Sequence, residues 1–186
     1  MREEVKKCVD ILRKGGTILY PTDTIWGIGC DATNEEAVQK VFDIKHRPSS
    51  KSMIILVAEP NQVTFYAEAP QVALDLVEYT ERPLTIIYPK AKGIARSLVA
   101  EDGSIAIRVV KDEFCKQLIN ILRKPLVSTS ANISGEPAPD NFFEISDAIK
   151  GKVDYVVNLR QQEVHKVSPS RIIKIDLDGT IEIIRK

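Results

Sequence analysis

The chain has 186 residues, of which 44% are hydrophobic and 28% charged, as in an ordinary globular domain with a sizeable core. Its 26 basic residues equal its 26 acidic residues, which argues against a wholly basic nucleic-acid-binding protein but allows a local basic cavity. Three scattered cysteines and two histidines make no zinc constellation, so no metal ligand of the protein is predicted.

The N-terminus, MREEVKK, is charged and is not a signal peptide, and no apolar run approaches the ~20 residues that span a bilayer. The cysteines form no CxxC pair, which is typical of a reduced protein. We therefore expect a cytoplasmic protein with no membrane segment. We also expect a single domain over residues 1–186, because no repeat, linker or low-complexity segment interrupts the chain.

Apolar periodicities predict helices and strands that mix along the chain. In chain order the first are helix Glu3–Arg13, strand Thr17–Tyr20, a helix from the Thr33-x-x-Glu36 capping box to about Ile44, strand Met53–Val57, helix Pro70–Tyr79 and strand Leu84–Tyr88. They are followed by strand Ser104–Val110, helix Asp112–Arg123, strand Leu126–Ser128, helix Phe143–Ile149, strand Val153–Val157 and a hairpin of Arg171–Leu177 with Thr180–Ile184. This mixture predicts an α/β (mixed α+β) fold of three layers around a twisted, mixed sheet.

A polar loop follows the first predicted strand, in the segment GTILYPTDTIWGIGCD. It offers hydroxyls, one carboxylate, the large aromatic Trp26 and two flexible positions, Gly27 and Gly29. Strand-end loops of this kind are where ligands bind in sheet proteins. A strand, a turn and a second strand with a buried Trp26 explain the same residues, so this segment alone leaves ligand binding open.

A cationic cluster, Lys45, Arg47 and Lys51, lies just past the second predicted helix. Solvated side chains that complement the helix dipole would explain it. An anion site would explain it too, since lysine supplies a mobile charge and arginine a planar fork that can hold two phosphate oxygens.

Arg108, in the predicted strand Ser104–Val110, also has two explanations. An arginine in an apolar strand needs an anionic partner, either a protein carboxylate or a ligand phosphate.

A third polar cluster, Ser128-Thr129-Ser130-Ala131-Asn132, follows a short predicted strand and precedes Gly135. Hydroxyl-rich turns often cap helices, but they can also donate hydrogen bonds to phosphate oxygens. No nucleophile with a paired histidine accompanies any of the three clusters. The residue types favour binding and positioning of anions over covalent catalysis.

Taken together and in this order, the clusters resemble the YrdC family (also called TsaC), the threonylcarbamoyl-AMP synthases. The matching segments are YPTDTIWGIGCDA, KHRP before an apolar strand, SIAIRV, KPLVSTSANISGEP and the late PSRII. The most specific part is Lys45-x-Arg47 combined with Ser130-x-Asn132, and the chain is similar to the short, single-domain members. The resemblance implies a three-layer YrdC-like domain with a largely antiparallel sheet.

The resemblance also implies a nucleotidyltransferase that condenses L-threonine, bicarbonate and ATP, with Mg²⁺, into threonylcarbamoyl-AMP and pyrophosphate. Partner proteins of the TsaD, TsaB and TsaE type would then build N6-threonylcarbamoyladenosine (t6A) at position 37 of tRNA. Direct contact of this chain with tRNA stays open.

Carried over by position, Lys45 and Arg47 would be the catalytic residues. The implied ATP-binding residues are Lys45, Arg47, Ser104, Arg108, Ser130, Asn132 and Arg185. The implied threonine-binding residues are Thr22, Trp26, Arg108, Thr129 and Ser170. The chain departs from the family pattern at Arg82, where a glycine is usual, and at Leu56, where longer members have a histidine.

Three other interpretations compete with this one. The first is a paralogue close to YciO with weak or different activity. The second is a stand-alone relative of the carbamoyl-adenylate domain of hydrogenase maturation proteins. The third is a non-catalytic RNA-binding module, which the neutral net charge and the lack of interleaved aromatic and basic residues disfavour.

Overall fold

A nine-stranded sheet organises the computed structural model, which describes residues 1–48, 51–164 and 168–186. Its strands are β1 Ile18–Tyr20, β2 Gly27–Gly29, β3 Ile54–Val57, β4 Leu84–Tyr88, β5 Ile105–Val109, β6 Leu126–Ser130, β7 Tyr155–Val156, β8 Arg171–Ile175 and β9 Ile181–Arg185. They lie side by side in the order β7-β1-β2-β6-β3-β5-β4-β8-β9. Neighbours pair antiparallel except in β1–β7, β3–β5 and β4–β8, so the prediction of a mixed, largely antiparallel sheet is confirmed.

Helices cover the sheet. They are α1 Arg2–Arg13, α2 Glu35–Lys45, α3 Val63–Tyr66, α4 Gln71–Tyr79, α5 Glu113–Leu122 and α6 Asp147–Lys150, with short 3₁₀ turns at Pro60–Gln62, Arg96–Leu98 and Phe142–Glu144. The apolar stripe of α1 is buried as its periodicity predicts, and α1 packs against α5. Every residue of β1 and β2 is buried, so this part of the sheet is covered on both faces, as the predicted layered fold requires.

Strand β6 brings distant parts of the sequence together. It lies between β2 and β3, with Gly27 opposite Ser130 and Ile54 opposite Ser128. Strand β3 in turn pairs with β5, where Leu56 lies opposite Arg108. The three polar clusters of the sequence therefore meet on neighbouring strands.

Gly29 permits the close approach of β1, β2 and β6. A Cβ atom at this position would lie 2.1 Å from the carbonyl oxygen of Val127 and 2.8 Å from the ring of Tyr20. The hydroxyl of Tyr20 donates to the same carbonyl at 2.9 Å, which fixes the ring in that space. Only glycine fits here without displacing backbone.

Two of the differences between the predicted and the observed boundaries arise from capping residues. Helix α2 is capped by Asn34, whose side chain accepts from the amide of Ala37, because Thr33 is engaged by Asp31 instead. The predicted helix Phe143–Ile149 is wrong: Asn141 caps a 3₁₀ turn, and α6 begins only at Asp147.

Within the described residues, no helix is both long and apolar enough to cross a membrane. The single domain over residues 1–186 stays a prediction.

Candidate functional site

A cavity of about 380 Å³ lies where β3, β4, β5, β6, β8 and β9 meet the loop before β2. This volume is in the range of small-molecule sites. Its lining comprises Thr24, Ile25, Trp26, Gly27, Arg47, Ser52, Met53, Ile54, Ile87, Ala106, Arg108, Ser128, Thr129, Ser130, Ala138, Pro169, Ser170, Ile172, Ile184 and Arg185. The lining combines apolar side chains with hydroxyl-bearing residues from four separate segments of the chain.

Three arginines, Arg47, Arg108 and Arg185, line the cavity, and no carboxylate does within the described part of the chain. Arg108 and Arg185 are close enough to interact, since burial and the charge of Arg108 lower the pKa of Arg185. Convergent guanidiniums without acids in the lining make a site for an anion that carries several charged oxygens.

Arg108 has the protein carboxylate that a buried arginine requires. Its NH2 atom lies 3.1 Å from Oδ1 of Asp23, and its NH1 atom donates to the hydroxyl of Thr24 at 3.1 Å. Its Nε atom is buried and has no hydrogen-bond partner among the described residues. Arg108 is therefore anchored in the protein but keeps a free donor, so the salt bridge and the ligand role that the sequence left open are compatible.

The loop that supplies Asp23 is held by its own threonines. The hydroxyl of Thr22 donates to the carbonyl of Ile25 at 2.8 Å and accepts from the amide of Thr24 at 3.0 Å. Thr22 lines a smaller adjacent cavity of about 120 Å³, which shares Thr24 and Trp26 with the main one. The ring of Trp26 is buried, and its centroid lies 4.9 Å from that of Phe142, so it forms a rigid wall.

Lys45 lies beneath the cavity and is absent from its lining. Only 1% of the residue is exposed. Its Nζ donates to the carbonyl of Asn132 at 2.6 Å and to that of Ser130. Burial, together with the charge of Arg47, lowers the pKa of Lys45 to about 8. Lys45 thus fixes the backbone where β6 ends.

Arg47 is half-buried and organises the segment that follows it. Its Nε donates to the carbonyl of Lys51 at 2.8 Å, and its NH2 donates to the carbonyl of Ser52 at 2.9 Å. Burial lowers its pKa. Since Arg47 also lines the cavity, the charge cluster is more than a solvated helix end.

The third polar cluster, at the end of β6, lines two different cavities. Thr129 and Ser130 line the main cavity, whereas Asn132 lines a separate cavity of about 230 Å³. The amide nitrogen of Asn132 donates to the carbonyls of Ile133 and Glu136 at 2.9 and 2.7 Å. Its Oδ1 is buried and has no hydrogen-bond partner among the described residues.

The opposite wall comes from β4, β8 and β9. The hydroxyl of Ser170 is 2.7 Å from that of Thr85, and its carbonyl accepts from Nε and NH2 of Arg185 at 3.1 and 2.6 Å. Ser104 lies outside the lining, and its amide donates to Asp102 at 3.0 Å. The side chain of Ser104, then Lys174 and this amide, lower the pKa of Asp102 to about 2 by hydrogen bonding to the carboxylate.

The structure thus brings most of the predicted site residues to one cavity. Those that line it are Trp26, Arg47, Arg108, Thr129, Ser130, Ser170 and Arg185. Those that do not line it are Thr22, Lys45, Ser104 and Asn132. The prediction omitted Thr24, Ser128 and Ser52, although Thr24 lies in the same polar loop as Thr22 and Ser128 begins the third cluster. The described residues contain no group of three or more His, Cys, Asp or Glu side chains that could hold a metal ion.

Comparison with known proteins places this fold and cavity in a family. The family profile Sua5/YciO/YrdC, described as "Telomere recombination", matches residues 10–186. The chain belongs to this family. A Methanocaldococcus jannaschii protein, named provisionally a threonylcarbamoyl-AMP synthase, is 38% identical over 97% of this chain and 86% of its own length.

The Idiomarina loihiensis protein named threonylcarbamoyl-AMP synthase is 34% identical over 86% of this chain and 87% of its own. Among solved structures, Sua5 of Pyrococcus abyssi in complex with L-threonine is 26% identical, with a TM-score of 0.83. The match covers 94% of this chain and 52% of that structure, so this chain spans about half its length.

Proposed function

We propose that this chain is an L-threonylcarbamoyladenylate synthase, which makes threonylcarbamoyl-AMP and pyrophosphate from L-threonine, bicarbonate and ATP. The observation that carries the proposal is the cavity itself, in which three arginines and several hydroxyls converge with no carboxylate among the described lining residues. The family, and relatives of similar length that bear this name, support it.

The reaction asks the protein to bind and orient anions. The threonine nitrogen attacks the carbon of bicarbonate, and loss of water leaves a carbamate. A carbamate oxygen then attacks the α-phosphorus of ATP, and the bond to pyrophosphate breaks. No protein nucleophile is needed at either step. Positioned guanidiniums and hydroxyls stabilise the negative charge that grows on the phosphate oxygens.

Each part of the cavity has a role in this scheme. Arg47 and Arg185, which both line the cavity, bind phosphate oxygens. Arg108 binds the carboxylate of threonine, and Trp26 walls the space beside it. The hydroxyls of Thr129, Ser130 and Ser170 hydrogen-bond to the carbamate or the phosphates, as their places in the lining allow. Lys45 acts through the backbone of β6, which it fixes.

Mg²⁺ enters as part of the nucleotide substrate. The described lining residues offer neutral oxygens and no carboxylate, which does not fit a resident metal site but does fit an ion that keeps its waters and the phosphates of ATP. The ion would offset part of the charge of the triphosphate, alongside the arginines of the cavity.

The product would serve t6A formation at position 37 of tRNA in the cytoplasm, through partner proteins of the TsaD, TsaB and TsaE type. Cys8, Cys30 and Cys115 are all free and buried, which suits a reducing compartment. The proposal does not require that tRNA contact this chain, since the adenylate can be handed on.

The test is pyrophosphate release by the purified chain, with threonine, bicarbonate or Mg²⁺ omitted in turn and the nucleotide product identified by mass. All three omissions should abolish release, and the mass should be that of threonylcarbamoyl-AMP. Release without threonine would favour the YciO-like alternative. RNA binding with no turnover would favour the binding module.

A second test concerns binding. If the threonine and nucleotide sites are adjacent, threonine should strengthen binding of an ATP analogue, and by linkage the analogue should strengthen binding of threonine.

A further inference from the structure

Asp23 does not line the cavity, but it contacts Arg108, which does. Its Oδ1 lies 3.1 Å from NH2 of Arg108, and the two side chains are 10% and 3% exposed. Its other oxygen accepts from the backbone amide of Lys111 at 3.0 Å. Lys111 follows β5, the strand that carries Arg108. One carboxylate therefore ties the guanidinium to the chain just beyond its own strand.

Two of the three guanidinium nitrogens of Arg108 contact the polar loop, and the third has no partner among the described residues. Its NH1 and NH2 atoms are taken by two successive loop residues, Thr24 and Asp23. Its buried Nε has no partner among the described residues. An arginine side chain has four rotatable bonds and much rotamer freedom, so two anchors at one end of the guanidinium select a single orientation. Arg108 also lines the cavity, so the oriented guanidinium borders the space that a ligand would occupy.

We propose that Asp23 is a positioning residue, which orients Arg108 to bind the carboxylate of L-threonine. This inference rests on the proposed function. Asp23 also supplies the anion that a buried guanidinium needs when the cavity is empty. The network is thus formed before the substrate arrives, so less side-chain entropy is lost when threonine binds.

A rival role for Asp23 makes the opposite prediction. If Asp23 only competes with the substrate for Arg108, then removing its charge should strengthen threonine binding. If it only stabilises the fold, then threonine affinity per folded molecule should not change. The sign of the change in affinity therefore separates positioning from the other two roles.

The experiment is calorimetric titration of L-threonine into the full chain, comparing wild type with Asp23→Asn. We expect affinity for threonine to fall about tenfold, the scale for disturbing one charged hydrogen-bonding partner. Affinity for a non-hydrolysable ATP analogue should change much less. Asp154→Asn is the matched control, because Asp154 accepts from the amide and hydroxyl of Thr17 at 2.7 and 3.0 Å, outside the cavity lining. It should leave threonine affinity unchanged.

A double-mutant cycle tests the route of the effect. Arg108→Gln should weaken threonine binding by itself, and adding Asp23→Asn in that background should cause no further loss. Additive losses, or an unchanged or tighter affinity in Asp23→Asn alone, would overturn the inference. If Asp23→Asn does not fold, Asp23→Glu keeps the charge but moves the oxygens, and it should also lower the affinity. Failure of the wild type to bind threonine would instead count against the proposed function.

Discussion

Lys45 gives the sharpest test of how the site is built. The ammonium is almost fully buried and bonds to two backbone carbonyls, yet its pKa falls from the ordinary 10.5 to about 8. Keeping it charged in the folded chain thus costs about 3 kcal/mol relative to the unfolded chain. Lys45→Met removes that cost, but it leaves the carbonyls of Ser130 and Asn132 without their donor, at about 1–3 kcal/mol each.

The two effects of Lys45→Met oppose each other at neutral pH. We therefore expect its free energy of unfolding at about pH 7 to differ from that of the wild type by less than about 3 kcal/mol. Formation of threonylcarbamoyl-AMP should nevertheless fall at least about tenfold, because the end of β6 loses its anchor. Lys40→Met is the matched control, since Lys40 lies on the same helix and donates to the carbonyl of Gly15 at 2.9 Å while exposed. Its turnover should equal that of the wild type.

The pH dependence of stability gives an independent measurement. Below pH 8 Lys45 is protonated in both states. Between pH 8 and about 10.5 the unfolded chain holds the proton and the folded chain does not, so the contribution of Lys45 to stability rises with pH. Denaturant titrations should show wild-type stability rising relative to Lys45→Met by up to about 3 kcal/mol across this window. Parallel curves for the two proteins, or full activity of Lys45→Met, would refute the reasoning.

Three further predictions concern the fold and the third cluster. Gly29→Ala should lose about 3 kcal/mol or more in denaturant titrations, because its Cβ would lie 2.1 Å from the carbonyl of Val127. Gly103→Ala, in open space at φ +79, should lose only about 1 kcal/mol, and equal losses would contradict the steric argument. Burial raises the pKa of Cys8 to about 12, so above pH 9 only the unfolded thiol ionises and stability falls. Cys8→Ala should show a shallower fall between about pH 9 and 11 than the wild type, and identical slopes would count against it. Asn132→Ala should lower the thermal midpoint by the equivalent of about 1–2 kcal/mol, because the amide closes its own turn. If Asn132 also orients the nucleotide, turnover per folded molecule should fall at least about tenfold, whereas a lower midpoint with unchanged turnover would assign it a structural role alone.

Local chemistry determined much of this protein from the sequence alone. The apolar stripe of α1, the apolar run of β3 and the alternation of β5 each follow from side-chain period, because burial of one face or both needs only nearby residues. The residue types also indicated an anion site without a nucleophile. The predicted start of α2 was wrong because two residues could cap the helix. Thr33 bonds to Asp31, and Asn34 caps α2 instead.

Only the tertiary structure decided which polar groups share a cavity. Arg108 and Thr24 are 84 positions apart, and Lys45 and Ser130 are 85 apart, so no local pattern could pair them. The strand order β2-β6-β3-β5 gathers the segments that carry these residues, and strand pairing over such distances depends on packing of the whole sheet. The same packing directs Lys45 to two backbone carbonyls, because a buried polar group bonds to whatever partners the fold places within reach. It also places Asp23 and Thr24 beside Arg108, so the partners of this buried arginine come from a distant loop.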